Sequence, residues 1–140
     1  MLHYAMKKIS IILQLCRVSL AILWLYQGVV PKLMGPHADE LTMNQSIQPF
    51  WLSPEQISLW AGIGEVIFGL LIFVLYRKRS VYIWNIIALI GLFLATVFLT
   101  PQFVTAAFNS FTINFAMIIL GCIALVCLQG DGSEWTYQVK

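Results

Sequence analysis

A chain of 140 residues that is 60% hydrophobic and 10% charged, with a mean hydropathy of +0.85 and a formal net charge of +2, is far more apolar than a soluble domain. Soluble domains carry roughly 25% charged residues, so the composition describes an integral membrane protein in contact with a lipid bilayer. It excludes a separate soluble catalytic domain, and no nucleic-acid partner is expected.

Three apolar runs, at about 9–34, 56–76 and 81–99, are long enough for a hydrocarbon core that needs ~20 residues, and a fourth at about 103–128 follows a polar gap. One domain over 1–140 results, an all-α antiparallel bundle of four transmembrane helices. Lys7 and Lys8 precede the first run. A cleaved signal peptide is not expected there, because Arg17 interrupts the apolar stretch and no small-residue cleavage site follows. Lipoprotein processing at Cys16 is disfavoured by the large Leu15 before it.

Pro31 removes a backbone donor near the end of the first run, and Gly35 with Pro36 stops it, so a kink or an end is expected there. The segment 35–55 reads as a polar loop carrying His37, Asp39, Glu40 and Glu55, with Phe50 and Trp51 at headgroup level. Ser53, Pro54 and Glu55 read as an N-cap, a first-turn proline and a dipole-favourable acid that start the second helix. Arg77, Lys78 and Arg79 join the second run to the third. Pro101 allows a tight turn before the fourth, whose polar beginning at 102–110 reads as an outer turn or an interfacial segment.

Basic residues collect at the ends that hold Lys7, Lys8, 77–79 and Lys140, with Lys32 alone opposite. The expected orientation therefore puts both termini in the cytoplasm and 35–55 outside, in a bacterial-type inner membrane.

Ionisable groups at bilayer depth cost at least about 2.5 to 3.5 kcal/mol each and usually find partners inside a bundle. Arg17 and Glu65 are the two in question, and an ion pair between them across the first two helices is the economical expectation. At 100° per residue Gln14, Arg17, Trp24, Gly28 and Lys32 share one broad face, as do Ser58, Ala61, Gly62, Glu65 and Gly69. The pair either fixes helix register or lines a polar pocket with Lys32, Gln27 and Tyr26 at its mouth. Lys32 also reads as a snorkelling lysine. Gly28 either opens a notch between Trp24 and Lys32 for a ring with polar substituents or marks a close helix crossing. Asn114, Asn85 and Thr96 read as interhelical glue. His37, Asp39 and Glu40 match no metal-ligand spacing, and no metal is expected.

Cys16, Cys122 and Cys127 form no C-x-x-C pair, and His3 and His37 fall on opposite sides of the membrane. No intrinsic redox centre is therefore visible, and no phosphate-binding or nucleophile motif is present.

The stretch W-L-Y-Q-G-V-V-P-K at 24–32, seven residues after Arg17, together with E-V-I-F-G at 65–69, resembles the first- and second-helix signatures of the DoxX-like membrane proteins. Gly130-Asp131-Gly132-Ser133 is similar to that family's closing motif, with Glu134 in place of its acid. The resemblance implies a four-helix DoxX-like fold with Arg17, Gly28, Lys32 and Glu65 as its polar signature. Some relatives are small subunits of a thiosulfate–quinone oxidoreductase or of thiol-redox complexes, so kinship implies a membrane or redox partner subunit. The expected function is an auxiliary subunit that binds a quinone- or lipid-like ligand and has no cofactor of its own. An assembly or chaperone-like scaffold and a small proton-coupled transporter using Glu65 are the alternatives, and a homo-oligomer is among the expected partner states.

Overall fold

The computed structural model describes residues 2–47, 49, 51–105 and 109–130. Phe50, the terminal motif from Asp131 onward and Lys140 lie outside them. Among the described residues the chain is all helical: α1 (Leu2–Gly28), a π-helical turn (Val29–Leu33), α2 (Ala38–Ile47), α3 (Pro54–Val74), α4 (Arg79–Leu99), a short 3-10 turn (Pro101–Phe103) and α5 (Ser110–Gly130). Four segments are long and apolar enough to cross a membrane: Met6–Leu33, Pro54–Val74, Arg79–Leu99 and Phe111–Gln129.

Local chemistry sets the boundaries. Ser53 caps α3 through a reciprocal box, its hydroxyl accepting from Gln56 N at 3.3 Å while Gln56 Oε1 accepts from Ser53 N at 2.9 Å, and Pro54 fills the first turn. Asn109 plays the same part for α5, accepting from Thr112 N at 2.9 Å, so the fourth helix starts at Ser110 and not at Phe103. The expected polar loop 35–55 is in part a helix. Asp39 and Glu40 occupy the first turn of α2, where acids favour the dipole, and its buried Asn44 donates to Pro54 O at 3.2 Å to hold α2 over the start of α3.

The helices pack in the order α3, α1, α5, α4, each antiparallel to its neighbour. The α1–α3 seam is set by glycine. A Cβ on Gly28 would lie 2.7 Å from Gly62 O, one on Gly62 would lie 2.9 Å from Gly28 O, and one on Gly69 would lie 3.1 Å from Ala21 O. Two backbones therefore touch, as small residues allow where lipid offers no hydrophobic drive for association. The α4–α5 seam meets at Asn85 against Gly121 and at Phe93 against Phe111, with ring centroids 4.8 Å apart. Leu20, Ile72, Tyr82, Leu89, Met117 and Ala124 are fully buried, whereas Val74, Trp84, Phe98 and Val126 face outward toward lipid.

The fourth seam stays open. α3 and α4 are joined by a tight turn, Lys78 N donating to Leu75 O at 2.8 Å, yet they scarcely touch along their length. We call the end with this turn, Lys7 and Lys8 the basic end, and the opposite one the α2 end.

The glycine seam makes a direct prediction. Gly62→Leu forces side-chain carbons into the Gly28 backbone and should cost at least the ~1 to 3 kcal/mol typical of overpacking. Gly64→Leu, two residues away, should be neutral, because a Cβ there meets nothing within 4 Å. Thermal unfolding of both variants in detergent checks this, and equal midpoints would contradict the seam.

Candidate functional site

Lys32 owes its position to Pro31. Without an N–H, Pro31 cannot continue the α ladder, and the chain takes a π turn in which Met34 N donates to Val29 O at 2.8 Å. A π turn uses one residue more than an α turn, so the stripe facing α3 passes from Gly28 to Leu33. Leu33 does abut Gly62: a Cβ there would lie 3.0 Å from its Cγ and Cδ2. Lys32 is thereby turned off the Trp24–Gly28 stripe expected for a continuous α-helix. Gly35, at φ 123°, then reverses the chain, and His37 N donates to Pro31 O at 3.0 Å to seal the corner.

Lys32 Nζ lies 2.7 Å and 2.9 Å from the two carboxylate oxygens of Glu65 and 3.4 Å from Glu40 Oε1. The side chains of Lys32, Glu65 and Glu40 are only 10%, 11% and 16% exposed. Helical side chains lean toward the start of their own helix. In antiparallel α1 and α3, Lys32 thus leans toward the basic end and Glu65 toward the α2 end, and the two meet.

The same lean rules out the expected Arg17–Glu65 pair. Arg17 reaches toward the basic end, where Nε donates to Phe73 O at 2.8 Å and Nη1 to Gln14 Oε1 at 2.9 Å. Its guanidinium lies 4.0 Å and 4.2 Å from the ring centroids of Phe73 and Tyr76. Phe73 is eight residues from Glu65, roughly 12 Å along the axis. Arg17 caps the C-terminus of α3, matching a cation to its negative dipole end. Next to it, Arg77 Nε donates to the Tyr76 hydroxyl at 3.1 Å, which holds that phenol below its ordinary pKa.

At mid-depth Trp24 Nε1 donates to Asn85 Oδ1 at 2.8 Å, and Asn85 Nδ2 donates to Met117 O at 3.3 Å, tying α1, α4 and α5 together. Phe68 meets the Trp24 ring edge-on at 5.1 Å. Trp24 is 3% exposed, so it is not an open wall beside Gly28, and Gly28 itself is closed by Gly62, Val66 and Glu65. Of the two readings of Gly28, the close helix crossing therefore describes the structure, and the ring-binding notch between Trp24, Gly28 and Lys32 does not.

Among the described residues, two cavities flank Glu65. One, of about 330 Å³, lies beneath α2 and is lined by Tyr26, Gln27, Lys32, Glu40, Met43, Glu65, Thr96, Asn109, Thr112 and Asn114, among others. Gln27 Nε2 lies 3.4 Å from Met117 Sδ. Asn114, 5% exposed, has a side-chain oxygen that accepts no hydrogen bond. The other, of about 630 Å³, is the apolar cleft of the open α3–α4 seam, lined by Trp24, Ala61, Gly64, Glu65, Phe68, Trp84, Ala88, Gly91 and Leu92. Glu65 and Leu92 line both.

Of the residues singled out in the sequence, Lys32, Glu65, Gln27, Tyr26 and Asn114 thus meet around one cavity, together with Glu40. Arg17, Trp24 and Gly28 do not. His37 and Asp39 lie 3.7 Å apart with side chains 69% and 72% exposed. The sequence reading missed Met43, Asn109 and Thr112. The acid pair at the start of 38–47 was the available signal that this loop is helical and carries Glu40 inward.

A sequence model of the DoxX-like family matches residues 21–122. No curated protein and no solved structure matches the chain.

Removing Lys32 leaves Glu65 and Glu40 buried without a cation, and removing Glu65 leaves Lys32 only its longer contact to Glu40; loss of a buried partner costs about 3 to 5 kcal/mol. Lys32→Met and Glu65→Gln should each lower the unfolding midpoint more than half as much as the double variant does, because the pair is lost once. Arg17→Met combined with Glu65→Gln should instead be additive. Additive losses for Lys32 and Glu65 would sink the pairing.

Proposed function

The chain belongs to the DoxX-like family of multi-pass membrane proteins, and from that premise we propose that the bundle holds an amphiphile, its head in the cavity beneath α2 and its chain in the α3–α4 cleft. The observation that carries the reading is the shared wall: Glu65 and Leu92 border both the polar cavity and the lipid-facing cleft. A molecule entering sideways from the bilayer reaches the buried charges without crossing a closed seam. Quinones and lipids are both of this type.

What the residues supply is binding and orientation. Tyr26, Gln27, Thr112 and Asn114 offer hydrogen-bonding groups around the head, while Ala61, Gly64, Ala88 and Gly91 keep the cleft wide enough for a chain. Such a protein serves as an auxiliary subunit that presents its ligand to a partner membrane enzyme. The basic end, with Lys7, Lys8, Arg77, Lys78 and Arg79, is the cytoplasmic one in this reading, in a bacterial-type inner membrane.

The test uses a ubiquinone analogue and a phosphatidylethanolamine, each with a photoreactive group in its apolar chain, added to the protein in vesicles. Crosslinks of at least one probe should saturate and map to Ala61, Gly64, Ala88 and Gly91. Leucine at both Gly64 and Gly91, where an added Cβ meets nothing within 4 Å, should fill the cleft and abolish them while the protein stays folded. Crosslinks spread evenly over all lipid-facing positions and unchanged by the double variant would overturn the reading.

A further inference from the structure

Resting on the amphiphile reading, we infer that the head group taken by the cavity beneath α2 is a hydrogen-bond-donating cation, a protonated amine carried on an apolar chain. Two carboxylates and one ammonium meet there, and Lys32 is the sole base among the described residues that line the cavity. Arg17 is committed to the C-terminus of α3, roughly two turns away. The set therefore carries one surplus negative charge in a low-dielectric surround, where such a charge attracts a cation far more strongly than it does in water.

The hydrogen bonds point the same way. Lys32 directs two of its three N–H donors at the oxygens of Glu65, at 2.7 Å and 2.9 Å, and sits 3.4 Å from Glu40, beyond good hydrogen-bond length. Glu40 thus keeps most of its acceptor capacity. Asn114 adds an independent acceptor, a side-chain oxygen with no donor on a residue 95% removed from solvent, given its 5% exposure. A protonated amine brings the missing charge and up to three N–H donors. Tyr26 lines the same cavity. A quinone would bring acceptors alone, an alcohol would bring a donor without charge, and a sulfate or phosphate would add to the surplus.

The experiment is thermal unfolding of the full chain in neutral detergent, titrated at neutral pH with dodecylamine, dodecanol, decylubiquinone and dodecyl sulfate. Dodecylamine should raise the unfolding midpoint with a half-saturating concentration at least about tenfold below that of dodecanol or decylubiquinone. Glu40→Gln, and separately Asn114→Leu, should shrink that advantage severalfold, and leucine at Gly64 and Gly91 should abolish binding of every probe. If amine and alcohol bind equally and Glu40→Gln changes neither, while the double leucine variant still blocks both, the cationic head group is wrong and the amphiphile site stands. If no probe saturates, both fall together.

Discussion

The bidentate contact of Lys32 with Glu65 is the constraint around which the α2 end is built. A lysine and a glutamate at this depth are each expensive alone and tolerable only together. Their meeting requires two further features. The Gly28–Gly62 contact brings α1 against α3 closely enough for the two side chains to span the gap, and the π turn at Pro31 moves Lys32 out of the seam so that it approaches Glu65 from the side. With both in place, a charge pair can sit beneath α2 without separating the helices it joins.

Polar groups occur at three depths, each with a different job. At the basic end Arg17 closes the last turn of α3, and Tyr82 donates to Tyr76 O at 2.9 Å beside it. At mid-depth Trp24, Asn85 and Met117 O lock three helices in register. At the α2 end the ion pair faces a cavity. Among the described residues the first two sets are satisfied by these bonds, although the buried Ser58 hydroxyl, which lines neither cavity, also lacks a partner. The third is not: it holds a surplus carboxylate and the unpartnered oxygen of Asn114. That imbalance, together with the open α3–α4 seam, separates a binding region from the framework that supports it.

Much of the fold was legible in the sequence, since length and apolarity identify membrane helices with little reference to packing. The Ser53-Pro54-Glu55 start of α3 was readable for the same reason, being local chemistry, whereas the return contact from Gln56 was not read. The site was only partly legible. Lys32, Glu65, Gln27 and Tyr26 stood out as polar groups in apolar runs, but pairing them correctly needs the lean of the side chains and the register of antiparallel helices, and a helical wheel carries neither. Arg17 was drawn to Glu65 because the two are opposite charges on facing helix stripes, and a stripe does not show how far apart they lie along the axis. Gly28 looked like an opening on one helix, and only the second helix shows that it is filled. A wheel drawn at a constant 100° also misplaces the residues after Val29, because it assumes a continuous α-helix and does not allow for the π turn at Pro31.

The central claim is that Lys32, not Arg17, carries the charge paired with Glu65. Solid-state NMR dipolar recoupling between 15N-labelled lysine Nζ and 13C-labelled glutamate Cδ, on protein in lipid vesicles, reads that contact. The account predicts strong dephasing from a pair within the ~4 Å range of an ion pair, nearly all of it lost in Lys32→Met and retained in Arg17→Met. Dephasing that is absent, or that survives Lys32→Met, would contradict it.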